Sequence, residues 1–185
     1  MNLRSFLVLF ALMQMAMVSL AGAVEVAFLR VYDGNGQLVE LTPGGVGFAH
    51  VAIRYRGMWF HAHPFGGVQL SPDLSAFGEV DSILEHPDWS EPLSDLVSEL
   101  LNKPYDHEFL WGDGEAYYCS ELVGVLLNVA PRAMSFEGPY WDAYFAARGN
   151  PPRPQGLGIS PDGLFFELLR RGFMPVSDCE MALRK

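Results

Sequence analysis

The chain has 185 residues, half of them hydrophobic, with 22 Asp and Glu against 12 Lys and Arg and a formal charge of −10. That is enough length for one ordinary domain with a real core, and the acidic balance argues against nucleic acid or anionic lipid as a partner. Two cysteines, Cys119 and Cys179, allow at most one disulfide in an oxidising compartment.

Residues 1–23 read as a signal peptide. Arg4 is their single charge, Phe6 to Leu20 is apolar apart from Gln14 and Ser19, and Ala21-Gly22-Ala23 fits a small-x-small cleavage pattern. A retained anchor is the alternative, since the apolar run nears spanning length. Cleavage is the better reading. It implies a periplasmic or secreted domain over 24–185, with no stable membrane anchor and 11 basic against 22 acidic residues.

Val24 to Tyr32 is strand-like, Asp33-Gly34-Asn35-Gly36 is a turn, and Gln37 to Leu41 returns as the second arm of a hairpin. Two further strand patterns, Phe48 to Tyr55 and Met58 to His63, flank Arg56-Gly57. An even-numbered loop pairs Arg54 with Trp59 and sets His50, His61 and His63 on one face, with His61 diagonal to His50. It also gathers Val51, Ile53, Phe60 and Ala62 on the other face. An odd loop would put His61 and His63 on the face opposite His50. Three histidines in fourteen residues suit a general base, His50, with an orienting neighbour, a metal site of His61 and His63 with His50 or Cys119, or a polar patch.

Val68 to Ser71 is a short strand, and Pro72 to Phe77 a single helical turn. Ser90 is an N-cap for an amphipathic helix over 91–101, in which Leu93, Leu96, Val97, Leu100 and Leu101 share a face. Asn102-Lys103-Pro104 ends it. Tyr105-Asp106 follows, with Asp106 either a cap or a surface acid. Glu115 to Leu127 opens another helix, and Cys119, Leu122, Val123 and Leu126 form its apolar stripe. A thiol in that first turn faces the positive end of the helix dipole and unpaired backbone N–H groups. Both favour the thiolate. Tyr140 to Ala147 is a short helix, Asn150 to Pro154 a linker within the domain, and Ser160-Pro161 starts a last helix that stops at Gly172.

Taken together, His50 in an HVAI strand, a second strand FHAHP, a KPYD turn and YYCSELV resemble the YiiX/YebB-like branch of the permuted NlpC-type cysteine hydrolases. The likeness spans roughly residues 46 to 171. It implies an α+β, circularly permuted papain-like fold, an antiparallel sheet packed on the cysteine-bearing helix. It further implies Cys119 as nucleophile, His50 as base and His61 as the third, orienting residue. Glutamate is common at that third position, and a histidine there resembles the lecithin retinol acyltransferase relatives instead. His63, Tyr105, Asp106 and Tyr118 are candidates for secondary or substrate-binding roles.

The leading expectation is an exported thiol amidase or peptidase that forms an acyl-enzyme, acts on small peptides, amides or acyl compounds such as cell-wall peptides, and needs no metal or organic cofactor. One alternative is a lipid-directed acyltransferase or thioesterase. The other is a non-catalytic or metal-binding domain with a Cys119–Cys179 disulfide.

Overall fold

The computed structural model describes residues 23–89 and 94–176. Within them the chain is α+β. Eight strands run β1 (Val24–Arg30), β2 (His50–Tyr55), β3 (Met58–His63), β4 (Gly67–Ser71), β5 (Glu79–His86), β6 (Arg132–Ala133), β7 (Leu157–Gly158) and β8 (Met174–Pro175). Four helices intervene: α1 (Ser94–Leu100), α2 (Cys119–Leu126), α3 (Pro139–Ala146) and α4 (Pro161–Arg170). Six strands form one antiparallel sheet in the order β4-β3-β2-β1-β5-β8, and β6 pairs with β7 beside it.

The β2–β3 turn has two residues, and both lie at positive φ, Arg56 at 49° and Gly57 at 79°. That geometry matches the right-handed twist of the strands it joins. It pairs Arg54 with Trp59 and Ile53 with Phe60, the even register. Alternation then sorts the side chains. Val26, Phe28, Val51, Ile53, Phe60 and Ala62 join the core under α2 and α4, with Leu122, Val123, Leu164 and Leu168. Ala27, Leu29, Ala52, Trp59 and Ile83 build a smaller cluster on the other face. A third cluster, Phe109, Tyr118, Phe136, Trp141 and Phe145, gathers α3 against the start of α2.

Two expectations are corrected. The 33–36 turn forms, with the Asp33 carboxylate accepting the Asn35 and Gln37 N–H groups at 2.8 Å each. The return arm, however, contributes one bridge, Tyr32 to Leu38, because β1 gives both its edges to β2 and β5. Residues 72–77 make a turn, closed by Phe77 N–H to Leu74 C=O, without becoming a helix. Cleavage at 1–23, the Ser90 cap and the fate of Cys179 fall outside the described residues. The last helix follows its signals: Ser160 Oγ accepts the Gly163 N–H at 3.1 Å, and Pro161 occupies the first turn.

Candidate active site

The nucleophile candidate is held by what precedes it. Helix α2 begins at Cys119, later than the Glu115 expected, because residues 104–106 and 117 pair as extended chain. Tyr117 N–H donates to Pro104 C=O at 3.1 Å and Asp106 N–H to Tyr117 C=O at 3.2 Å. Tyr105 is thereby fixed relative to a residue two positions before the thiol. On the other side, Ser120 Oγ donates to Ile159 C=O at 2.7 Å, and Ile159 N–H donates to the Tyr118 hydroxyl at 3.2 Å. Further along α2, Gly124 lets the Trp111 ring lie against the helix; a Cβ there would come within 2.8 Å of it. The first residue of the helix, Cys119, is thus set rigidly, with its own N–H among the groups that the helix leaves unpaired.

The histidines form a chain. His50 Nε2 and His61 Nδ1 are 3.0 Å apart, and His61 Nε2 lies 3.0 Å from Ser71 Oγ. All three residues are buried. Two tautomer sets fit these contacts: His50 Nε2–H donating to His61 Nδ1 with His61 Nε2–H donating to Ser71 Oγ, or the Ser71 hydroxyl donating to His61 Nε2 with His61 Nδ1–H donating to His50 Nε2. The first leaves Nδ1 of His50 as the lone-pair nitrogen, the form a general base needs. His63, which falls opposite His50 when the β2–β3 register is continued beyond its last pair, instead accepts the Phe65 N–H on its Nδ1 at 3.2 Å and is only half-buried. The expected diagonal partner, His61, is the one in hydrogen-bond contact.

His50, His63 and Cys119 line a single cavity of about 200 Å³, where the end of the sheet meets the start of α2. Its other walls are mostly apolar and include the aromatic residues Phe77, Tyr105, Phe109, Tyr118, Tyr140, Trp141 and Tyr144. Of the expected secondary residues, Tyr105, Tyr118 and His63 therefore reach the cavity. Asp106 does not line it. Its carboxylate accepts the Glu108 and Leu110 N–H groups at 2.7 and 2.5 Å, and so shapes the loop that carries Phe109.

No family model, curated protein or solved structure matches this chain. The site's chemistry is accordingly argued from its own groups.

Burial, first, and then the charges of His61 and His63 hold His50 well below the usual imidazole range. Burial, followed by the charge of His63, brings His61 down to about 4. Burial also pushes the Cys119 thiol up to about 11, against the opposing pull of the Val51, Ser120 and Cys119 N–H groups. The helix start therefore acts in the expected direction but is outweighed by desolvation. Burial thus works against the resting thiolate that the helix start favours, and against a resting imidazolium at His50. Among the described residues, no hydrogen bond joins Cys119 to His50. No cluster of three or more His, Cys, Asp or Glu side chains among them has the geometry to hold a metal ion. His61 spends both ring nitrogens on His50 and Ser71.

Three supporting residues escaped the sequence reading. Ser71 carries no motif, and its role depends on β4 lying beside β3, where it falls opposite Trp59 and diagonal to His61. Asp162, in the first turn of α4, accepts the Phe48 N–H at 2.9 Å and fixes the chain two residues before His50. Glu121, the third residue of α2, is wholly buried. One carboxylate oxygen accepts the Gly112 N–H at 2.7 Å, and the other has no partner among the described residues.

Burial, with added repulsion from Asp106 and Asp113, raises Glu121 to about 7. A carboxyl raised from 4.5 stabilises the fold fully below pH 4.5, and the contribution is lost as pH climbs through about 7. Glu121→Gln keeps an acceptor for Gly112 and removes the charge. The expected result is a melting temperature closer to that of the wild type at pH 5 and higher than it at pH 8. Thermal melts at the two pH values check this; parallel curves would show that the carboxyl titrates alike in folded and unfolded chains.

Proposed function

We propose that the protein is a thiol hydrolase of permuted papain-like type, exported as a periplasmic or secreted enzyme, that cleaves amide or acyl bonds through Cys119. The observation that carries this reading is the cavity shared by Cys119 and His50, with His50 Nε2 committed to His61 so that Nδ1 is the nitrogen left for the thiol. The order along the chain, histidine strand before cysteine helix, supports the permuted arrangement.

When a carbonyl compound enters, His50 Nδ1 takes the Cys119 proton as sulfur attacks the carbonyl carbon. The Cys119 backbone N–H, at the start of α2, serves the developing oxyanion. His61 accepts from the His50 imidazolium and holds its ring in place, while Ser71 holds His61. The proton then passes from His50 to the leaving group, and the acyl stays on sulfur. Water, deprotonated by His50, releases the acid and restores the thiol. The role of His50 is general base on demand, in keeping with its low basicity at rest.

Cell-wall peptides are one substrate class for such an exported enzyme. A second reading, hydrolysis of acyl esters or thioesters, is favoured by the mostly apolar cavity wall, to which, among the described residues, no Asp, Glu, Lys or Arg contributes. Product mass spectrometry separates the two. The wild type should cleave either peptidoglycan fragments or neutral acyl esters and carry a transient acyl mass on the Cys119 peptide, while Cys119→Ala yields no product. Equal turnover by wild type and Cys119→Ala would remove the thiol mechanism.

A further inference from the structure

The cavity holds a second histidine that the mechanism above does not use. His63 lines it with His50 and Cys119, and its ring stands edge-on to that of His50, at 89° and with 5.6 Å between centroids. Phe77, another lining residue, packs on it at 4.9 Å. The β3–β4 turn fixes the tautomer of this ring. The Phe65 N–H lies 3.2 Å from His63 Nδ1, and a backbone N–H can only donate. Nδ1 is therefore the lone-pair nitrogen, and Nε2 carries the hydrogen. The turn holds that contact in place, because Gln69 Nε2 donates to the Phe65 C=O at 3.3 Å and so engages the other polar group of the Phe65 backbone. His61 has both ring nitrogens in contacts, whereas His63 Nε2–H meets no acceptor among the described residues. His63 is half-buried, so a group arriving from solvent reaches it. Burial holds the ring below the usual imidazole range, which makes it a neutral donor at neutral pH.

We propose that His63 Nε2–H is a substrate-binding donor that receives the backbone carbonyl oxygen next along a peptide from the carbonyl that Cys119 attacks. This rests on the thiol-hydrolase reading above and adds the substrate class to it: acyl groups that carry an amide, as peptides do, over plain alkyl ones. An extended peptide advances about 3.5 Å per residue, less than the 5.6 Å between the His50 and His63 rings. A chain whose scissile carbonyl lies against His50 thus brings its neighbouring carbonyl within hydrogen-bond reach of His63. A neutral N–H suits a neutral oxygen. A carboxylate at the same place would be left without a cation, since no Lys or Arg among the described residues contributes to the wall.

The probes are p-nitrophenyl N-acetylglycinate, whose amide carbonyl stands one residue from the ester, and p-nitrophenyl butyrate, which has no amide. With either ester the S–C bond forms, the C–O bond breaks, nitrophenolate leaves with the electron pair, and the thiol proton passes to His50. Water then releases the acid. Above the background of Cys119→Ala, the wild type should turn over both esters and carry a transient acyl mass on the Cys119 peptide. His63→Ala should lower the ratio of kcat/KM for the N-acetylglycinate to that for the butyrate by about 3- to 8-fold, the worth of one neutral hydrogen bond, and chiefly through KM. His63→Gln, whose side-chain N–H reaches about as far as imidazole Nε2, should recover most of that ratio. A ratio unchanged in His63→Ala, or lowered as far by His63→Gln, would overturn the His63 subsite while the thiol mechanism stands. Absence of a Cys119 adduct in the wild type with both esters would overturn the subsite together with the reading it rests on.

Discussion

His61→Ala should lower kcat/KM for acyl transfer to water by about 10³-fold, on the scale seen when an orienting partner of a catalytic imidazole is removed, while His63→Ala should cost less than about tenfold. The asymmetry follows from what each ring touches. Removing His61 leaves the buried His50 Nε2–H without an acceptor and no longer selects the tautomer that keeps Nδ1 free. It also releases Ser71. Removing His63 takes away an acceptor for the Phe65 N–H at a half-buried turn, where water can replace it. Its own charge, when present, works against protonated His50, so its loss spares the base. His61→Asn, which can still offer an acceptor, should recover part of the lost activity. A dominant loss at His63 would mean that the working partner of His50 is the residue opposite it and not the diagonal one. The pH profile carries the same logic. With His61 at about 4, its protonation should leave activity untouched between pH 6 and 8, and depress it as pH falls toward 4, where the acceptor nitrogen becomes a donor.

The parts of this site that can be read from sequence are those fixed by local geometry. Arg56-Gly57 sets a two-residue turn, the turn sets the register, and the register puts three histidines on one face. Ser160-Pro161 and the Leu122, Val123, Leu126 spacing are local in the same sense, and both helices form. What escapes is non-local. Strand β5 shows no regular alternation, Glu79-Val80-Asp81-Ser82 giving way to Ile83-Leu84, yet it pairs along the whole of β1. Ser71 and Asp162 matter only through partners 10 and 114 residues away. Glu121 reads as an ordinary first-turn acid, good for a helix dipole, until α2 is seen buried on every side at its start. The thiol's acidity depends on both kinds of information. The dipole and N–H groups are legible at Cys119, but the desolvation that outweighs them comes from Tyr105, Tyr118 and the strands beneath, assembled from across the chain.

That competition gives the remaining expected result. At pH 8, iodoacetamide should alkylate Cys119 in the native protein roughly 100-fold more slowly than in urea, because burial lifts the thiol to about 11 from an unfolded value near ~8.5. The native rate should climb about tenfold per pH unit up to that value, since the thiolate is the reacting species. Peptide mapping keeps Cys119 distinct from Cys179. His50→Ala should leave the native rate nearly unchanged at pH 6 to 8, as a neutral His50 lends the thiol no charge at rest. The opposite pattern has a definite meaning. Rapid labelling of native Cys119 at pH 6, abolished by His50→Ala, requires a thiolate–imidazolium pair whose mutual attraction exceeds the desolvation of both groups. The protein would then carry its proposed nucleophile ready-made, as thiolate-based hydrolases do. A slow, base-catalysed resting thiol that nevertheless acylates rapidly with p-nitrophenyl butyrate places the activation in the substrate complex. There the acyl group excludes water, the oxyanion meets the Cys119 N–H, and proton transfer to His50 accompanies the attack instead of preceding it.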